Sequence, residues 1–147
     1  MIKKLDIPPL WTTACIALMF GLNWAVPYFI FDFPNPRVGY GFMLVGVGLI
    51  LWSAYWFFRK KTTIEPHHQA TTLLVQGPYK LSRNPIYLGM VIFAFGMVMY
   101  LGNPLTLIAW LALIAILHKR FVIPEEQGLR DTFGKPADDY IAATRRW

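Results

Sequence analysis

Residues 77–102 read GPYKLSRNPIYLGMVIFAFGMVMYLG. Two prolines, two tyrosines, a lysine and an arginine crowd the first half, and an apolar run fills the second. A helix needs about 20 apolar residues to span a bilayer core. The run over 86–102 comes close, and outward from it the runs 104–121, 38–58 and 10–31 come close to or reach that length. The pattern predicts an all-α integral membrane protein with four transmembrane helices. Composition agrees: 56% of the 147 residues are hydrophobic, 15% are charged, and the mean hydropathy is +0.42, far from a soluble domain.

The first run follows Lys3 and Lys4 but is too long and Trp-rich for a signal peptide and lacks a small-residue cleavage site, so it reads as a retained helix. The net charge of +6 does not point to nucleic acid, because the basic residues flank apolar runs, where they anchor helices and set orientation. Lys3, Lys4, Arg59, Lys60, Lys61, Lys80, Arg83, Lys119, Arg120, Lys135, Arg145 and Arg146 fall on one side, and Arg37 alone on the other. Both termini, the loop 59–85 and the tail 122–147 are therefore expected on the cytoplasmic face of an inner membrane. FPNP (33–36) and GNP (102–104) make short outer turns. The single cysteine, Cys15, offers no disulfide framework. Gly39, Gly41, Gly46 and Gly48 read as helix-packing positions. The chain is a single domain, 1–147.

Polar chemistry is confined to the loop and the tail. Asn84 and Pro85 make a helix start, with Asn84 as cap and Pro85 where no amide donor is needed. Tyr79, Arg83 and Tyr87 beside that start are either interfacial anchors or the walls of a small-anion site. In the tail, Pro124, Glu125 and Glu126 begin a short amphipathic helix and bring two carboxylates to the same face. Glu65, His67 and His68 lack a third ligand at metal spacing, so no metal is expected. His118 reads as an interfacial side chain. Glycine-rich nucleotide loops and nucleophile elbows are absent.

These residues resemble the membrane methyltransferases that include isoprenylcysteine carboxyl methyltransferase and the phospholipid N-methyltransferases. Leu74, Val75, Gly77, Tyr79, Arg83, Pro85, Tyr87 and Gly89 match one family pattern in register. Glu125, Glu126, Leu129, Phe133, Gly134, Tyr140, Arg146 and Trp147 match the second. The resemblance covers about residues 59–147; helices 1 and 2 fit by topology only. It implies S-adenosylmethionine as cofactor, held without a Rossmann domain by Thr71, Thr72, Leu73, Leu74, Tyr79, Arg83, Asn84, Pro85, Ile86, Tyr87 and Glu125. It implies an apolar or membrane-associated acceptor, whether carboxylate, lipid amine or thiol, with Arg120 and Glu126 as the catalytic candidates. Three departures stand out: Asn84 replaces a histidine, Ala137 replaces a tyrosine, and Phe121 stands where the prenylcysteine enzymes carry an arginine, leaving Arg120 one residue out of register.

In-line displacement from a sulfonium rests on alignment and desolvation. A carboxylate acceptor needs no base, whereas an amine or thiol must lose a proton, with Glu126 or His118 as candidates. The competing reading, a four-helix membrane scaffold or transporter subunit, calls for polar residues within the membrane. Asn23, Ser53 and a few threonines supply little of that.

Overall fold

The structure is a computed structural model that describes residues 6–27, 36–60 and 73–147. Its elements are α1 (Pro8–Ala25), α2 (Pro36–Lys60), a 3₁₀ turn (Gly77–Lys80), α3 (Pro85–Leu101), α4 (Thr106–Leu117), a π-helical segment (His118–Val122), α5 (Ile123–Phe133) and α6 (Lys135–Ala143). No strand occurs among the described residues. Pro8, Pro36, Pro85, Pro124 and Pro136 stand at or next to helix starts, where a missing N–H costs nothing and a fixed φ suits the first turn.

Two stretches are long and apolar enough to cross a membrane, Pro36–Arg59 with 24 residues and Thr106–Phe133 with 28. The second runs unbroken through α4, the π-helical segment and α5, so the helix does not stop at residue 121 as the hydropathy alone suggests. Proline inside a helix has no N–H to give and its ring presses on the preceding turn. The widened turn just before Pro124, closed by the Ile123 N–H on the His118 carbonyl, accommodates it without a break. The apolar part ends near Lys119 and Arg120; α5 carries Glu125, Glu126, Arg130 and Asp131 and lies beyond it.

The core is built around α3, which packs against α2, α1 and α4 and buries Tyr87, Met90, Val91, Ala94, Met97 and Val98. Its contact with α2 is backbone to backbone. A Cβ added to Gly39 would stand 2.7 Å from the Gly96 carbonyl oxygen, and one on Gly46 would stand 2.6 Å from that of Gly89. Glycines seven residues apart on each antiparallel helix therefore meet in pairs, the close approach that small residues permit. Gly41 and Gly48 face open space, so only half of the glycines expected to pack do so. The outward faces stay apolar: Trp24 is 86% exposed and Leu44 73%, which suits hydrocarbon better than water.

At the opposite end from the polar segments, α3 stops at Gly102 in the left-handed conformation (φ 68), as glycine permits. The Asn103 amide there donates to the Val26 carbonyl (3.0 Å) and its oxygen accepts the Leu105 N–H (3.0 Å). One buried asparagine thus ties the end of α1 to the start of α4.

Candidate functional site

The site begins with a glycine. Gly77 has φ +60, and a Cβ there would lie 2.2 Å from the indole Nε1 of Trp56, so only glycine can seat the 3₁₀ turn on α2. The turn delivers Tyr79, whose ring meets Phe57 edge-on at 5.6 Å. Tyr140, from α6, donates its hydroxyl to the Tyr79 carbonyl (2.7 Å).

The tail then crosses the start of α3. The Arg83 N–H donates to the Arg145 carbonyl (2.8 Å). Ser82 Oγ (3.1 Å) and the Asn84 side-chain amide (3.2 Å) both donate to the Arg146 carbonyl. Asn84 stands at the cap position but makes no side-chain cap bond. Its own N–H goes to Ser82 Oγ (3.1 Å). The expected capping by Asn84 is thus corrected, because the tail carbonyl takes its amide and serine serves the turn.

Two carboxylates follow with opposite environments. Glu126 is buried, accepts two hydrogen bonds from the Arg146 guanidinium (2.8 and 2.7 Å), and lies 3.4 Å from Arg83. Burial alone would raise its pKa, but the Arg146 hydrogen bonds and the charges of Arg83, Arg146 and Arg130 outweigh that and hold it below the usual range. Glu125 accepts a hydrogen bond from the Tyr87 hydroxyl. Burial pushes its carboxyl up to about 7, against the lowering effect of that bond. Burial also raises Tyr79 well above the ordinary tyrosine value and brings Tyr140 to about 12, so both are neutral hydroxyl donors at physiological pH.

Several buried donors are left over. The Tyr79 hydroxyl, Arg83 Nε and Trp56 Nε1 have no hydrogen-bond partner, and Arg83 Nη1 makes no hydrogen bond beyond its 3.4 Å ion pair with Glu126. Orphaned buried polar groups cost about 1–3 kcal/mol each, so such a set beside the N-terminus of a 17-residue helix could be satisfied by an added acceptor. The Glu125 carboxyl lies near enough to act electrostatically on the Tyr79 hydroxyl. The arrangement can take a small zwitterion, anionic group on Tyr79 and Arg83, cationic group on Glu125.

Of the residues expected here, Tyr79, Arg83, Asn84, Pro85, Ile86, Tyr87, Glu125 and Glu126 come together around the α3 start, with Leu73 and Leu74 leading into the same turn and Leu74 buried. Thr71 and Thr72, like Glu65, His67 and His68, lie outside the described residues. Among the described residues no three potential metal ligands come together. Arg120 points elsewhere: it bonds Asp6 (2.8 Å) and sits 5.0 Å from the centre of the Trp11 ring, whose indole also donates to Asp6 (2.8 Å). Tyr140 and Arg146 match a pattern in the sequence that gives them no place in the site, Ser82 reads there only as part of a helix start, and Trp56 has no reading at all. For the first two the tail pattern was the available signal. Nothing in the local sequence marks Trp56.

A family model described as phospholipid methyltransferase matches residues 35–136. The match takes in α2, which the motif resemblance left to topology, and every residue of the site from Tyr79 to Glu126. No curated protein and no solved structure matches the chain.

Proposed function

The chain belongs to the phospholipid methyltransferase family, and from that premise we propose that it transfers methyl groups from S-adenosylmethionine to a lipid-like acceptor at the cytoplasmic face of an inner membrane. The observation that carries the cofactor is the pair of unpartnered buried donors, the Tyr79 hydroxyl and Arg83 Nε, in a site that also holds the Glu125–Tyr87 pair. An amino-acid sulfonium has the anion for the first and the positive charge for the second. The residues at hand fit it.

When bound, that cofactor supplies an electrophilic methyl group. The chain's part is to hold, orient and dry the site. Tyr79, Arg83 and the first amides of α3 take a carboxylate; Glu125, oriented by Tyr87, takes a cation; Leu73 and Leu74 form the approach. Glu126 has a positioning role in this reading. With both oxygens on Arg146 and its pKa lowered, it is a poor proton acceptor, and it fixes the tail over the helix start. Arg120, tied to Asp6 and half-exposed in the π-helical segment, is assigned to the acceptor's polar head in this reading.

α1, α2, α3 and α4 cross the membrane in this proposal, with α5 and α6 in the cytoplasm beside both termini, a placement that the distribution of basic residues supports. The deciding experiment is incubation of membranes carrying the protein with methyl-labelled S-adenosylmethionine, followed by separation of lipid and protein fractions. Label in a lipid extract that depends on Glu125 and Arg83 is the expected result; no label above the Glu125→Gln control contradicts it.

A further inference from the structure

A second charged cluster joins α1 to the π-helical segment. Asp6 stands just before α1, where the chain at Ile7 is still extended (φ −121, ψ 143). Its carboxylate accepts a hydrogen bond on each oxygen: the Trp11 indole N–H donates to Oδ1 (2.8 Å) and Arg120 Nη2 to Oδ2 (2.8 Å). The Arg120 guanidinium also lies 5.0 Å from the centre of the Trp11 ring, within the range of cation–π attraction. Trp11 itself packs against the hydrophobic core. Two donors on separate helices, held against each other, therefore converge on one anion with two oxygens.

The anion in that seat belongs to the chain itself, and its hold is weak. Arg120 keeps 50% of its side chain exposed and Asp6 22%, and an ion pair so open to water contributes little. The donors are fixed by α1 and by the continuous helix through α4, whereas Asp6 rides on the extended lead before α1. The seat thus outlasts the departure of the carboxylate. Its level along the helix is set by Arg120 and the exposed Lys119, which end the apolar part of the 106–133 stretch. Basic pockets between membrane helices at that level take anionic headgroups. A phosphate diester spreads its charge over two oxygens, as a carboxylate does, and a guanidinium pairs well with either.

We propose that Trp11 Nε1 and Arg120 form a seat for the phosphate of an anionic membrane lipid, and that Asp6 holds it shut until the lipid displaces it. The inference goes beyond the methyltransferase reading: Asp6 and Trp11 lie outside the residues matched to the family, and the seat needs a membrane surface at Arg120 but no methyl transfer. Any head that Arg120 serves must first displace Asp6. One anion replaces another, so an anionic head gains access and an uncharged one does not.

The test uses the full chain in detergent micelles without S-adenosylmethionine, and reads the indole N–H signal of Trp11 by nitrogen-15 NMR, identified by its loss in Trp11→Phe. The probe is dihexanoylphosphatidylglycerol; inorganic phosphate and dihexanoylglycerol are the comparison arms. The Trp11 signal of wild type is expected to shift saturably with the anionic lipid. In Asp6→Asn the midpoint is expected at about fivefold lower lipid, the equilibrium worth of the exposed ion pair removed. In Arg120→Gln the lipid should leave the signal in place. Unchanged signals from the other five of the six tryptophans show that the variants fold. No response in Asp6→Asn, a midpoint equal to that of wild type, or an equal response in Arg120→Gln overturns the seat. An equal response to dihexanoylglycerol overturns the anion, and an equal response to inorganic phosphate overturns the lipid. With no methyl donor present, failure here leaves the methyltransferase reading untouched, and failure of methyl transfer leaves the seat standing.

Discussion

Arg146 places two guanidinium nitrogens, 2.8 and 2.7 Å away, on the two carboxylate oxygens of Glu126. The last residues of the chain are thereby latched to the first turn of α5 and held across the start of α3. Glu126 is nearly buried while Arg146 keeps 39% of its side chain exposed, so removing the arginine leaves the carboxylate without its hydrogen-bond donors and with only the charges of Arg83 and Arg130. Arg146→Ala is expected to cost about 2 kcal/mol, the range of hydrogen bonds to charged groups, read as a lower midpoint of thermal unfolding in detergent. Because the Glu126 pKa is lowered in the folded protein from 4.5, the latch contributes fully above pH 4.5 and is lost as pH falls through the lower folded value. The difference between wild type and Arg146→Ala should therefore shrink in acid.

Glu125 has the opposite sign. Its carboxyl, raised to about 7 by burial, binds a proton in the folded chain that the unfolded chain has already lost, so stability falls as pH rises from 4.5 to about 7. Ligand binding runs the other way. A cation needs the ionised form, so affinity for S-adenosylmethionine should rise with pH through about 7 and level off above it. Calorimetry from pH 6 to 8 should show a change of about tenfold, flattened in Glu125→Gln.

The α2–α3 seam predicts a contrast between glycines two residues apart. Gly46→Leu drives a side chain into the Gly89 carbonyl and should cost about 3 kcal/mol by overpacking. Gly48→Leu meets open space and should be neutral, or stabilising by about 0.5 kcal/mol through helix propensity. Thermal unfolding of the two variants in one detergent distinguishes them.

The helical runs were legible because length and apolarity are written locally: the run 86–102 became α3 (Pro85–Leu101), and two stretches are long and apolar enough to cross a membrane. What came next depends on partners distant in sequence. Gly39 and Gly41 look alike until α3 is in place, and only one of them meets it. Asn84 followed by Pro85 reads as a capped start, yet the side chain serves a carbonyl 62 residues away. Glu125 and Glu126 are neighbours with interchangeable local signals, but one faces Tyr87 and the other Arg146. The continuation of α4 past Phe121 was hidden by Pro124, which a π-turn absorbs.

Orientation has a direct test. A cysteine replacing Lys135, exposed in α6, should react with a membrane-impermeant maleimide in inverted vesicles and stay unlabelled in intact cells. Labelling from the outside would reverse the topology and move the site to the other face.

The central claim is that the orphaned Tyr79 and Arg83 donors and the Glu125–Tyr87 pair together hold an amino-acid sulfonium. Isothermal titration of the purified protein with S-adenosylmethionine, in detergent and again in lipid, tests it most directly. Saturable binding by wild type is expected, weakened about tenfold or more in Arg83→Gln and in Glu125→Gln, since each substitution removes one charge-assisted interaction with the ligand. Wild type that fails to bind at millimolar cofactor in both media, or variants that bind as tightly as wild type, would contradict it.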